Sequence, residues 1–386
     1  MGPARWRGRG WPRRDEILPN LKKNRFNRFD WFALMLFLLI GLTGILTLFS
    51  ASRGIPETAG NIQVHGKQGL WWILGFCGLF AVLLIDYRHL EHYAYSIYGI
   101  TLALLLYVLF LGRTIAGARR WIDLGLVQFQ PSEIIKLTLV LALAKYFQDH
   151  QDGRPYDLFR LWKPLLMLLV PFVLVLLEPD LGTAIILLLV SFSILLFLGL
   201  SRRSIVVLFL LGMASLPAGW VFLKDYQKDR LLTYLDPSRD PLGSGYHILQ
   251  SKIAIGSGGF WGKGFLHGTQ SRLHFLPEQH TDFIFSVFAE QWGFVGSMVL
   301  LLAYLAVILW ALHLSTRAKD MFGMIVSLGV TFLLFWHVAI NIGMGTGLLP
   351  VVGIPLPLFS YGGSFLLVVL LSVGVLLNIY MRRFVF

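Results

Sequence analysis

The sequence predicts an all-α polytopic membrane protein with about ten transmembrane helices. Of its 386 residues, 56% are hydrophobic and only 14% are charged, which is too apolar for the surface of a soluble domain. Apolar runs long enough to cross ~30 Å of hydrocarbon recur along the chain. The single cysteine, Cys77, lies in such a run, which excludes a disulfide framework or a thiolate metal cluster.

The predicted spans follow one another closely, apart from one long gap between the seventh and the eighth. The runs at 132–147 and 164–178 are short, so we expect these two helices to lie in the interior or to tilt and break. All ten lie near residues 30–50, 68–86, 91–111, 132–147, 164–178, 181–199, 204–223, 283–313, 321–343 and 361–381.

Residues 1–28 form a basic tail ahead of the membrane domain at 29–386. The tail has nine Arg or Lys residues against two acids, which gives +7 of the net charge of +12. It lies next to a span and lacks an aromatic and basic nucleic-acid module, so membrane topology explains it and nucleic-acid binding does not. The following run is too long for a signal peptide. Alternation from this tail predicts that both termini are cytoplasmic.

Two segments outside the regular spans have distinct compositions. Residues 224–282 form a large external loop, in which Tyr246, Leu249 and Ile253 share one face of a predicted helix on the membrane surface. Residues 343–363 contain three prolines and six glycines and no charge. Backbone this irregular cannot face lipid with unpaired amides, so we expect it to re-enter the protein and line a cavity.

Asp282 is the first candidate for chemistry, because it directly precedes the long apolar run of the eighth span. The N-terminus of a helix favours an ionised carboxylate, and aspartate is also a preferred N-cap residue. The sequence therefore allows a simple cap, a general base for a hydroxyl, or both. His280 is a possible partner of Asp282 rather than evidence of a metal site.

Glu133 and Lys136 are three residues apart, so they can pair on one face of a buried helix, with Ser132 as the predicted N-cap. Pairing makes the burial of both charges tolerable, and both a structural pair and direct contact with a substrate stay open.

Glu178 and Asp180 flank Pro179 in the motif "EPDLGTA", which favours a solvated hairpin turn with an N-cap for the next helix. Glu290, two turns beyond Asp282, is expected to be a neutral, hydrogen-bonded interior glutamate. These structural interpretations still allow Glu178, Asp180 and Glu290 a supporting role at the site.

The loop at 112–130 departs from the positive-inside rule, by which Arg and Lys are more frequent in cytoplasmic loops. Arg113, Arg119 and Arg120 lie on its predicted outer side. This is either an irregularity of topology or an anion site. No metal-ligand spacing and no hydrolase motif occurs in the sequence, so no metal site is predicted.

Five segments match signature segments of a known family, in the same order. They are "GARRWIDLG" (117–125), "QPSEIIK" (130–136), "EPDLGTA" (178–184), "FLPEQHTDFIFSVFAEQWGFVG" (275–296) and "LLPVVGIPLPLFSYGGS" (348–364). On these segments the chain resembles the SEDS family (shape, elongation, division and sporulation) over residues 29–383. The "VVGIPLP" form is more similar to the elongation members than to the division members. Phe365 departs from the small residue of many relatives, which concerns local packing only.

The resemblance implies a ten-helix peptidoglycan glycosyltransferase of the bacterial cytoplasmic membrane. Such enzymes polymerise lipid II on the outer face during elongation, invert the anomeric carbon and release undecaprenyl diphosphate. They work with a class B penicillin-binding protein, a transpeptidase, and with other membrane proteins of the elongation complex. The family's essential acid falls on Asp282, its Glu and Lys pair on Glu133 and Lys136, and its loop arginine on Arg119 or Arg120.

The sequence leaves two points open, the cofactor and the choice between rival functions. No ligand set specifies a cofactor, although a divalent cation such as Mg²⁺ or Mn²⁺ could share the charge of the diphosphate. A lipid II flippase and a non-catalytic scaffold are the rival functions. The clustering of candidate charges on one side favours chemistry at a single face over transport.

Overall fold

The computed structural model describes residues 29–52, 64–115, 118–123, 125, 128–151, 155–222, 225–236, 239–240, 243–272 and 280–383. The basic tail at 1–28 and residues 273–279 of the external loop lie outside these ranges. The described elements are α1 (Trp31–Ser52), α2 (Val64–Leu84), α3 (Tyr87–His92), α4 (Ala94–Leu111), β1 (Arg113–Ile115), β2 (Ala118–Asp123), β3 (Gln128–Phe129), α5 (Pro131–Asp149), α6 (Leu158–Leu177), α7 (Leu181–Leu198), α8 (Arg202–Phe222), α9 (Asp225–Leu235), α10 (Ser244–Ser257), α11 (Thr269–Arg272), α12 (Ile284–Thr316), α13 (Met321–Gly345) and α14 (Gly363–Arg382).

A helix covers each of the ten predicted spans, and the all-α fold class is confirmed. Within the described residues, nine helices are long and apolar enough to cross a membrane. The tenth is α5, whose charged residues exclude it from that set. It is buried along nearly its whole length and packs against α4 and α13. The interior position predicted for it is confirmed.

The prediction for 164–178 is wrong in length. Helix α6 begins at Leu158 and runs for 20 residues with Pro164 and Pro171 inside it. Only 28% of the residues in its apolar membrane-spanning stretch are buried, so α6 lies at the periphery rather than in the interior. Proline is tolerated inside membrane helices because neighbouring groups satisfy the freed backbone, so Pro164 does not mark a helix start.

Helices α13 and α14 form the centre of the bundle with α5. In the apolar membrane-spanning stretches of α13 and α14, 72% and 78% of the residues are buried, whereas in that of α8 only 7% are buried. Helix α2 packs along α14, and α12 packs against α13. The side chain of Asp320 starts α13 by accepting a hydrogen bond from the amide of Gly323 at 2.7 Å, as an N-cap.

Helix α12 is broken at Gly293, which has φ 63° and ψ −161°. Residues 258–264 enter the break and satisfy the backbone groups that it exposes. The amides of Phe294 and Val295 donate to the carbonyls of residues 259 and 260 at 2.9 and 3.1 Å. A Cβ atom on Gly262 would collide with the backbone of α12, so the approach requires glycine.

The loop after α4 is more ordered than predicted, because β1, β2 and β3 form a small antiparallel sheet. The predicted helix in the external loop is confirmed as α10. Its buried face consists of Ile248, Ser251 and Ala254, while Leu249 and Ile253 are exposed. Its hydroxyl at Ser251 lies 2.7 Å from that of Ser286 on α12. Whether α10 lies along a membrane surface stays a prediction.

Candidate active site

One cavity of about 850 Å³ collects most of the candidate residues. Its walls come from β2, α5, the turn between α6 and α7, α9, the residues before α12, and the irregular segment after α13. Residues 350–355 and 361–365 form one wall, as predicted for this irregular segment. The ionisable residues that line it are Arg120, Glu133, Lys136, Asp180, Arg230, Asp282, His337 and Tyr361.

Asp282 lies at the cavity but does not cap its helix, so the N-cap prediction is wrong. Helix α12 begins at Ile284 and Phe283 occupies the N-cap position, because residues 280–283 form turns first. This places Asp282 one residue before the cap, and its side chain lines the cavity. A Cβ atom on Gly353 would lie 3.6 Å from Asp282 Oδ2, so the carboxylate is next to the wall formed by residues 350–355.

The backbone of Asp282 is held by α13. The buried amide nitrogen of Asn341 donates to the carbonyl of Asp282 at 3.0 Å and to that of Ile354 at 2.8 Å. The preceding residue is held as well, because the Ser360 hydroxyl donates to the carbonyl of Thr281 at 2.6 Å. These bonds join the turn before α12 to the cavity wall and position the carboxylate.

Glu133 and Lys136 form a buried ion pair, with Oε2 and Nζ 2.7 Å apart. Both side chains line the cavity from the first turns of α5. The predicted N-cap at Ser132 is wrong, because Gln130 occupies that position and Pro131 is the first helical residue. Proline suits that position since its fixed φ matches the helix and its missing N–H would be unpaired there.

The structure separates Arg119 from Arg120. Arg119 is exposed, whereas Arg120 is half-buried and lines the cavity. The Arg120 guanidinium donates from Nε to the carbonyl of Glu178 at 2.8 Å and from a terminal nitrogen to the carbonyl of Pro179. These bonds fix the guanidinium against the turn between α6 and α7.

Asp180 caps α7 as predicted and also lines the cavity. Its Oδ1 accepts from the amide of Thr183 at 3.2 Å, and its Oδ2 accepts from the amide side chain of Gln130 at 3.0 Å. The predicted solvated turn is wrong for Glu178, which is 1% exposed because the turn is packed between helices. Neither of its carboxyl oxygens has a hydrogen-bond partner among the described residues. Burial, with the nearby Asp180 charge, raises the pKa of Glu178 to about 8.

Glu290 and His280 do not line the cavity. The Oε1 atom of Glu290 accepts from Lys263 Nζ at 2.7 Å and from the amides of Thr269 and Gln270 at 2.8 and 3.0 Å. The expected interior, hydrogen-bonded position of Glu290 is confirmed, because its side chain is fully buried and accepts these bonds. Glu290 ties the external loop to α12. His280 contributes its backbone carbonyl, which accepts from the amide of Tyr361 at 2.8 Å.

Four residues with clear contacts at or beside the site are absent from the sequence-based candidates: Gln130, Arg230, His337 and Asn341. His337 and Asn341 are polar residues inside a membrane span, which is a signal that the sequence offers. Gln130 and Arg230 lie outside the spans and offer no such signal. Within the described ranges, no group of three His, Cys, Asp or Glu side chains could hold a metal ion.

Comparison with known proteins gives the family. The profile of the FtsW/RodA/SpoVE family, described as "Cell cycle protein", matches residues 30–384. The chain belongs to this family. Among its relatives, peptidoglycan glycosyltransferase MrdB of Escherichia coli K12 is 46% identical over 311 residues, which cover 80% of this chain and 84% of that protein. Peptidoglycan glycosyltransferase RodA of Treponema pallidum is 33% identical, with 92% and 98% covered.

Two solved structures are similar to this chain over more than nine-tenths of its length. RodA of Thermus thermophilus, a rod-shape-determining protein, has a TM-score of 0.68 at 32% identity, with 92% of this chain and 98% of that chain covered. A chain from a structure described as "Structural coordination of polymerization and crosslinking by a peptidoglycan synthase complex" has a TM-score of 0.78 at 34% identity, with 93% and 99% covered. The fold therefore matches over nearly its full length.

Proposed function

We propose that this chain is a peptidoglycan glycosyltransferase that polymerises lipid II. One observation carries the proposal: Asp282 lines the same cavity as Arg120 and Lys136. A glycosyl transfer from a lipid diphosphate needs a base for the attacking hydroxyl and cations for the leaving group. The names of the relatives MrdB and RodA support this class of enzyme.

The reaction joins two lipid-linked sugars. The 4-hydroxyl oxygen of the acceptor GlcNAc attacks the anomeric carbon of the donor, and Asp282 takes the hydroxyl proton as the new C–O bond forms. The bond from the anomeric carbon to the diphosphate oxygen breaks, and its electron pair leaves with undecaprenyl diphosphate. Attack from the opposite face inverts the anomeric carbon and gives a β-1,4 linkage.

Arg120 and Lys136 stabilise the charge that develops on the leaving diphosphate. Each is already held by the protein, Arg120 by two backbone carbonyls and Lys136 by Glu133. Cations held in place before the reaction cost little reorganisation when the charge appears, which is how such sites lower a barrier. Asp180, which accepts hydrogen bonds from Gln130 and Thr183, lines the same cavity.

The surroundings of the enzyme follow from the same proposal. It lies in the bacterial cytoplasmic membrane with both termini in the cytoplasm and the cavity facing outward, as the positive-inside pattern favours. Its partner is a class B penicillin-binding protein, and the similar chain from a peptidoglycan synthase complex that coordinates polymerisation with crosslinking supports this pairing. Any stimulation by Mg²⁺ or Mn²⁺ acts through the diphosphate of the substrate, which supplies the oxygen ligands these ions prefer.

The test is polymerisation of lipid II by purified protein in detergent, where transport across a membrane is impossible. We expect glycan from the wild type and a loss of at least about 100-fold for Asp282→Asn. Asp320→Asn is the matched control, because it alters an N-cap carboxylate that is not among the cavity-lining residues. A flippase would yield no glycan, and near wild-type product from Asp282→Asn would remove the base assignment.

A further inference from the structure

His337 lies inside the membrane helix α13, is 1% exposed and lines the cavity. Its Nδ1 atom is 2.8 Å from the carbonyl oxygen of Leu333. A carbonyl oxygen only accepts, so Nδ1 carries the proton and Nε2 keeps its lone pair. Nε2 lies 3.2 Å from Nζ of Lys136. Lys136 therefore donates a hydrogen bond to His337.

The contacts of Lys136 restrict the orientation of its ammonium group. An ammonium group has three donors in a tetrahedral arrangement. The Glu133 carboxylate forms an ion pair with Nζ at 2.7 Å, and His337 Nε2 accepts one N–H at 3.2 Å. Within the described part of the chain, no further acceptor is bonded to Nζ, so an N–H is available to a ligand in the cavity that Lys136 lines. The ion pair and the hydrogen bond together restrict the orientation of the ammonium.

Phe365 completes the surroundings of the ammonium. Its ring stacks on that of His337, with centroids 5.0 Å apart and planes 24° apart. Its centroid lies 5.2 Å from Lys136 Nζ, within the range of a cation–π contact. The stack holds the imidazole plane, and the aromatic face covers another side of the ammonium. Phe365 thus supports the orientation of Lys136.

We propose that His337 is a positioning residue that orients the Lys136 ammonium so that an N–H meets an oxygen of the lipid diphosphate. His337 acts through Lys136 and transfers no proton itself. The inference rests on the proposed function, in which Lys136 binds the diphosphate. It extends that function by giving the site a histidine that controls the geometry of its buried cation.

Two substitutions separate the hydrogen bond from the packing. His337→Phe keeps a ring that can stack on Phe365 but removes the acceptor for Lys136. His337→Gln loses the ring but restores an acceptor of similar reach. A packing role predicts that the phenylalanine variant is the milder one. The positioning role predicts the opposite order.

Binding of undecaprenyl diphosphate is the main readout, because it needs no turnover. We expect His337→Phe to weaken it about tenfold and His337→Gln to stay within about threefold of the wild type. Undecaprenol, which lacks the diphosphate, should bind equally to all variants. Trp336→Phe is the matched control, since it removes a hydrogen bond of 3.0 Å to Ser193 from the same helix without touching the cavity lining.

A double-mutant cycle with Lys136→Met completes the test. If His337 acts through Lys136, then His337→Phe should change the affinity by less than about twofold in the Lys136→Met background. An equal loss in both backgrounds, a loss of undecaprenol binding, or wild-type affinity of His337→Phe would each overturn the inference. The proposed function fails separately, if the wild type makes no glycan from lipid II.

Discussion

Glu178 offers a stability test in which the sign of the effect depends on pH. Its carboxyl is buried without a hydrogen-bond partner among the described residues, and its pKa is raised from 4.5 to about 8. The folded state therefore holds the proton more tightly than the unfolded state. The resulting stabilisation is complete below about pH 4.5 and is lost as the pH rises through about 8. Glu178→Gln removes the titration.

The expected magnitude follows from the shift in pKa. Each pH unit between the two pKa values is worth about 1.4 kcal/mol, so the wild type loses about 3 kcal/mol relative to the variant near neutral pH and at most about 5 kcal/mol. For a chain of this length, 1 kcal/mol corresponds to about 1.3 °C in Tm. The variant should then melt about 1 °C above the wild type near pH 5 and about 6 °C above it near pH 8.

The assay is thermal unfolding of purified protein in one detergent across this pH range. Glu133→Gln is the matched control, because that buried glutamate is paired with Lys136 at 2.7 Å. Glu133→Gln leaves the buried Lys136 charge without its acidic partner. This variant should therefore lower Tm, whereas Glu178→Gln should raise it. A difference between Glu178→Gln and wild type that does not grow with pH would refute the reasoning.

Three further predictions concern the site and the broken helix. Asn341→Leu removes the amide group that joins the turn before α12 to the cavity wall, so we expect kcat to fall about 100-fold. Asn378→Leu frees two carbonyls at the other end of the bundle, so it should lower Tm by a similar amount and leave kcat intact. Arg120→Gln should lower kcat/KM for lipid II about 100-fold, because it removes a cation that lines the cavity. Arg119→Gln should lower it less than about threefold, because Arg119 is exposed and is not among the lining residues. Equal effects of the two variants would contradict the assignment of the diphosphate to Arg120. Gly262→Val places a side chain against the backbone of α12 at φ 82°, so Tm should fall by several degrees, and an unchanged Tm would contradict the described break.

The parts of this structure that depend on local pattern could be predicted from the sequence. Each of the ten spans reads as an apolar run, and the pairing of Glu133 with Lys136 follows from a spacing of three on one helix. The irregular composition of 343–363 predicts a cavity wall because lipid cannot satisfy its backbone. In each case the deciding interaction lies within a few residues of the pattern.

The remaining parts depend on contacts between distant segments. Nothing near Arg119 or Arg120 shows which one meets the turn at Glu178, because that is decided by how β2 packs. The "EPD" motif is typical of an exposed turn. Glu178 is buried only because of how the surrounding segments pack in the folded protein. The break at Gly293 is invisible as well, since the segment that fills it lies about thirty residues earlier in the chain.

The order of these two segments along the chain bears on biogenesis. Residues 258–264 leave the ribosome before the apolar residues of α12, so the segment that completes the broken helix is made before the helix itself. When α12 enters the bilayer, the amides of Phe294 and Val295 can pair with the carbonyls of residues 259 and 260, which have already been synthesised. Such pairing satisfies the amides of the break, which lipid cannot do.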